Sequence, residues 1–257
     1  MLRQQKTIRA ATAHVLLAAT ALAICGAARA DETCQSPYMP KISGHEQFVY
    51  VWTLGMDGVG DGSDKVVTVD VREGSPTFGK VIDVDSVGGQ HEAHHGGLTD
   101  DRRHFWVQGL DTSMIWIFDI ATDPANPKLV KTIDDFVEAS GGVAGPHGAY
   151  ALPGRMMISG LSNKDRTGRT ALVEYANDGT YIATHWMPTA EDPRGAANAA
   201  AADGYGYDAR VLPRRNVMLT SSFTGAENFM RPLGELVADA GLLKTQLENA
   251  LGELVNA

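Results

Sequence analysis

Two strand-like patterns recur along this chain with a period of about 50 residues, and this repeat limits the fold more than any other feature. The first pattern is an apolar run ending in an acid: Val66-Val67-Thr68-Val69-Asp70, Ile115-Trp116-Ile117-Phe118-Asp119 and Ala171-Leu172-Val173-Glu174. After each come a turn (REGSP, ATDPANP, YANDG) and a second β-rich run (KVIDV, KLVKTI, YIATHWM). Their β-branched and aromatic content, with turn residues between, favours hairpins over helices. The second pattern is strand, tight turn, strand, in residues 94–110, 147–161 and 208–223. Two hairpins per period make a four-stranded unit, and such units in series are propeller blades. A β-sandwich with accidental similarity is the competing reading, and the doubled register of both hairpins decides against it. The expected fold is therefore all-β, with about three and a half blades between residues 45 and 223. Closed propellers hold ~4–8 blades, so this is a small ring or part of a larger one.

Both ends of the chain differ from the repeat. Arg3, Lys6 and Arg9 precede an apolar run over residues 14–25, and Ala28-Arg29-Ala30 supplies a small-x-small cleavage signature. Residues 1–30 are thus expected to be a signal peptide cut after Ala30, leaving a periplasmic or secreted protein. The apolar run falls short of the ~20 residues a membrane span needs. Cys25 suggests a lipoprotein site, but bulky Ile24 stands where a small residue is usual. The leader holds four basic and no acidic residues, so cleavage moves the formal charge from −9 to −13. That charge argues against nucleic acid or anionic membrane as partner. Residues 31–232 form the expected propeller domain. In 233–257, Leu233, Leu236, Val237, Ala240, Leu243, Leu247, Leu251 and Leu254 follow helical spacing, which predicts an amphipathic helical tail.

The repeat also brings side chains into correspondence. Just before the turns of the second hairpin pattern stand His94 and His95, then His147, then Asp208. Counted from the turns, His95 corresponds to His147. If these lie on innermost strands, the side chains converge on a shared axis, and several imidazoles there suit copper or zinc. Adjacent His94 and His95 point to opposite faces of a regular strand, so only one is a simple ligand unless the backbone bulges. Glu92 is placed to hold an imidazole tautomer. His45, His91, His104 and His185 read as ordinary surface or core residues. Cys34 is the one cysteine left after cleavage, so no intrachain disulfide forms, and by itself it reads as a buried spectator. The stretch Asp57–Asp64 has the composition of a calcium loop without its terminal glutamate, and reads as a hairpin turn.

At His94-His95, at Gly145-Pro146-His147, and from Tyr205-Gly206-Tyr207-Asp208 to Asn216-Val217-Met218, the sequence resembles the selenium-binding protein family. That family includes periplasmic copper-dependent methanethiol oxidases. The resemblance runs from residue 33 to about 244. It implies a seven-bladed propeller that oxidises methanethiol with O2 and water to formaldehyde, hydrogen sulfide and hydrogen peroxide. It also implies copper held by His94, His95 and His147, and it adds a thiol or selenium role for Cys34. Glu92 and Asp208 become candidate proton-transfer groups.

Two departures accompany the resemblance. Tyr150 stands where the family often has a second histidine, and members run to roughly twice this length. A small thiol and O2 are the implied reactants, while a non-catalytic selenium- or copper-binding propeller fragment is the alternative. Open blade edges would favour self-association.

Overall fold

A computed structural model describes residues 44–165, 169–188, 204–212 and 215–225, together with Ser36, Tyr38, Val237, Ala238, Gly241 and Lys244. The expected signal peptide and Cys34 lie outside the described residues. So does most of the expected helical tail, of which Val237, Ala238, Gly241 and Lys244 are helical.

Thirteen strands form four antiparallel sheets among these residues. The first sheet holds β1 (Phe48–Thr53), β2 (Lys65–Asp70) and β3 (Val81–Ser86). The second holds β4 (Ala93–Leu98), β5 (His104–Gly109), β6 (Met114–Asp119) and β7 (Lys128–Ile133). A short helix, α1 (Phe136–Ala139), leads to the third sheet. That sheet holds β8 (Val143–Leu152), β9 (Arg155–Asn163), β10 (Ala171–Ala176) and β11 (Tyr181–Trp186). The fourth pairs β12 (Gly204–Leu212) with β13 (Val217–Gly225). Neighbours in each sheet are neighbours in sequence, as in propeller blades. Two blades are thus complete, one shows three strands and one shows two. The Asp57–Asp64 stretch is the turn between β1 and β2, and both oxygens of buried Asp64 accept main-chain N–H bonds, from Gly55 at 2.7 Å and His91 at 2.9 Å.

The apolar runs of β5, β6, β9 and β10 follow from their position inside the stack. A strand with blades on both sides buries both faces, so alternation of side chains distributes residues between two cores. Phe105, Val107, Trp116 and Phe118 pack toward Val66 and Trp52 of the first blade. Trp106, Ile115 and Ile117 face the other way, onto Met156, Ile158, Val173 and Tyr175 of the third. Met157 and Leu172 then meet Ala209 of the fourth. Each large side chain buried in this way contributes about 1.5–3 kcal/mol.

β4, β8 and β12 open their blades and lie at one sheet edge, β4 packed against β8 and β8 against β12. The approach is close. A Cβ added to Gly97 on β4 would sit 2.7 Å from the Ala149 carbonyl oxygen on β8, which is why glycine stands there.

Candidate metal centre

On β4 the pairing with β5 steps from Ala93 opposite Gly109 to Gly96 opposite Val107. Three residues therefore advance on one strand while two advance on the other. His94 and His95 together face Gln108, the two-against-one count of a β-bulge. On β8 the same step falls between Pro146 opposite Gly160 and Ala149 opposite Ile158, placing His147 and Gly148 together against Ser159. A comparable irregularity in β12 falls at Tyr207. The register makes His94, not His95, the counterpart of His147. Counting from the turns misleads by one because β4 and β5 are joined by a longer loop than β8 and β9.

The bulge defeats the alternation that would have sent His94 and His95 to opposite faces. The two rings lie 4.7 Å apart, and each approaches His147, at 4.6 Å and 4.5 Å between centroids. One ligand atom from each of the three lies within 4.8 Å of the others. His94 Nε2 and His147 Nε2 are only 3.0 Å apart.

Tautomers follow from the partners. His147 Nδ1 lies 2.8 Å from the Tyr207 carbonyl oxygen, which only accepts, so Nδ1 carries the proton and Nε2 presents a lone pair. His94 Nε2–H then donates to it. The Tyr207 ring lies 4.1 Å from the His147 ring and stacks in turn on Phe223. All three histidines are held below the usual imidazole range, mainly by burial. His147 falls to about 4, with the neighbouring His95 and His94 adding to the effect of burial. Neutral imidazoles with free lone pairs are the form that binds metal. Metal–nitrogen bonds of ~2.0–2.1 Å place two ligand nitrogens about 3.3–3.6 Å apart, so a small spreading of the His94–His147 pair admits an ion. The residues present fit a transition metal.

Asp208 lies beside the cluster. Its Oδ1 would be 3.1 Å from a Cβ added to Gly148, it pairs with Arg210, and its charge partly offsets the burial of His95 and His147. Glu92 is placed differently from the sequence expectation. It has a left-handed backbone (φ 58°) just before β4, and its carboxyl is hydrogen-bonded to that of Asp111. Burial, then Asp111, raise its pKa. Its side chain lines a cavity of about 260 Å³ with Leu110, Asp111, Asn163, Lys164 and Tyr205, so the expected imidazole partner is replaced by the Tyr207 carbonyl.

The remaining described histidines stay outside the cluster. His91 packs on Trp116, with ring nitrogens at Thr112 and Gly88, and His185 faces Glu174. His45 is exposed before β1, and His104 begins β5. Tyr207 was not singled out by sequence as a neighbour of His147. Its signal was its place one residue before Asp208, at the level of the histidines in the repeat.

Blades in series with histidines gathered on their inner strands define a β-propeller with a metal-type cluster at its inner edge. The chain belongs to the 56kDa selenium binding protein (SBP56) family, whose model matches residues 28–242. It is 64% identical over 218 residues to a methanethiol oxidase of Ruegeria pomeroyi, covering 84% of this chain and 50% of that one. A methanethiol oxidase of Hyphomicrobium sp is 51% identical over 237 residues, covering 90% and 52%. The chain thus spans about half the length of the curated relatives it matches. The crystal structure of a hypothetical selenium-binding protein from Sulfolobus tokodaii superposes with a TM-score of 0.61 at 21% identity, over 73% of this chain and 42% of that one, a likeness of fold.

Proposed function

We propose that this chain carries the metal-binding part of a methanethiol oxidase site, in which His94, His95 and His147 hold copper for oxidation of a small thiol by O2. The observation that supports it is the convergence of three neutral imidazoles from two blades within 4.8 Å. The chemistry supplied by a bound copper ion is affinity for thiol sulfur and electron exchange with O2. For methanethiol the balanced change is one thiol, one O2 and one water to formaldehyde, hydrogen sulfide and hydrogen peroxide.

The chain's own residues have distinct tasks in this reading. His147 offers Nε2 because the Tyr207 carbonyl holds the proton on Nδ1. The bulge at His94 and His95 lets one strand contribute two imidazoles. Asp208, its side chain 35% exposed, is placed to take the proton that a thiol loses on binding as thiolate. Export to the periplasm and pairing of open blade edges between copies belong to the same proposal.

The family also contains relatives named for selenium binding, such as a selenium-binding protein 2 of Mus musculus at 26% identity. That favours, as a second reading, a non-catalytic carrier of selenium or copper. Metal content of the purified chain, beside a His94→Ala/His147→Ala double variant, tests the first step. Near-stoichiometric copper that disappears in the variant, with peroxide released from methanethiol, supports the oxidase. Copper without peroxide supports the carrier, and copper unaffected by the variant sinks the oxidase site built on these histidines.

A further inference from the structure

Each bulge leaves buried main-chain groups without a ladder partner, and in both blades the side chain opposite the bulge takes them up. Gln108 faces His94 and His95 and is fully buried. With its amide nitrogen turned to them, it donates to the His95 carbonyl at 2.5 Å and to the His147 carbonyl at 3.2 Å. One amide thus grips the inner strand of its own blade and that of the next. Ser159 faces His147 and Gly148 and is 3% exposed. Its Oγ accepts from Gly148 N–H at 2.8 Å and donates to the Tyr207 carbonyl at 2.7 Å. Again one side chain holds its own inner strand and the next.

These two residues occupy the same place in the repeat, Val107-Gln108-Gly109-Leu110 matching Ile158-Ser159-Gly160-Leu161. One blade earlier that place is taken by Trp52, whose indole N–H donates to the Gln108 main-chain carbonyl at 2.9 Å. A polar residue inside an otherwise apolar, doubly buried strand is costly unless its bonds are needed. Here they fall on the main chain of His95 and His147, and on the carbonyl that also sets the His147 tautomer.

We propose that Gln108 and Ser159 are positioning residues for the metal centre: a clasp, repeated at successive blade junctions, that holds the bulges and fixes the distance between imidazoles on different blades. This rests on the reading that the histidines bind copper. Groups that orient metal ligands typically contribute about 10–100-fold to metal affinity.

The test compares the wild-type chain with Gln108→Met, which keeps length and removes the donors, and with Ser159→Ala, a smaller change that keeps the test open if the first variant fails to fold. Ile133→Val, a conservative cut in the core away from the histidines, is the control for general loosening. Cu(I) affinity is read by competition with a chromophoric chelator, and Cu(II) geometry by electron paramagnetic resonance. The expected result is roughly 10–100-fold weaker Cu(I) binding and an altered Cu(II) hyperfine pattern in whichever clasp variants fold, with Ile133→Val like wild type. Wild-type affinity and spectrum in a folded Ser159→Ala would overturn the clasp while leaving the copper reading intact. A wild-type chain that binds no copper would remove the copper reading, and the clasp with it.

Discussion

His94 and His147 belong to different blades, yet their Nε2 atoms are 3.0 Å apart. A metal bound between them would link two blades, so binding would stabilise the fold. At a free copper concentration 100 times Kd the gain is about 2.7 kcal/mol, provided the unfolded chain does not bind. Copper should raise the thermal midpoint of the wild-type chain and leave that of His147→Ala unchanged. An equal rise in both would place the metal elsewhere.

The contact of Gly97 with the Ala149 carbonyl makes a second prediction. A methyl group at Gly97 meets backbone at 2.7 Å, which cannot swing aside as a side chain can. Gly97→Ala should cost about 1–3 kcal/mol, as overpacking usually does, and should weaken copper binding by moving β4 from β8. Urea unfolding gives the first quantity and chelator competition the second; a neutral result in both would mean the blades tolerate separation.

Trp106 is held at the junction between the second and third blades by packing and not by a hydrogen bond of its own. Its side chain is fully buried and its indole N–H has no partner among the described residues. Trp106→Ala should therefore cost about 3–5 kcal/mol. Trp106→Phe, which keeps an aromatic ring and removes the unpaired N–H, should cost clearly less. Equal losses in the two variants would contradict this account.

Tyr50 gives the fold an alkaline limit. Its hydroxyl donates to the Pro124 carbonyl at 2.8 Å, and burial, with Asp123 nearby, pushes its pKa from 10.0 up to about 12. Between those values the unfolded chain loses this proton before the folded one does. The contribution is complete below pH 10 and is lost as pH rises through about 12. The stability difference between wild type and Tyr50→Phe should shift across that range, in the direction of wild-type loss. A difference independent of pH would show that the phenol ionises alike in both states.

The blades were legible in the sequence because central strands between two cores carry apolar residues at successive positions, as in Ile115-Trp116-Ile117-Phe118, and edges and turns interrupt them at a steady interval. The histidines were legible as a group but not in their pairing. Alternation of side chains forbids two neighbours on one face, and only the register shift at Ala93–Gly96 shows how β4 presents both. Glu92 misled because its left-handed backbone sends its carboxyl to Asp111. Gln108 and Ser159 left a visible mark, a polar residue at the same place in two apolar runs. Its meaning depended on contacts between blades that no spacing within one blade reveals.

Every apolar cluster described here belongs to two sheets at once, Phe105 and Val66 on one side of the second blade, Trp106 and Ile158 on the other. No sheet owns a private core. Unfolding should then spread like a zipper, each sheet that peels away baring the face of its neighbour, with stability set by junctions more than by sheets. Damage at one junction would be felt first next door and only faintly two sheets along.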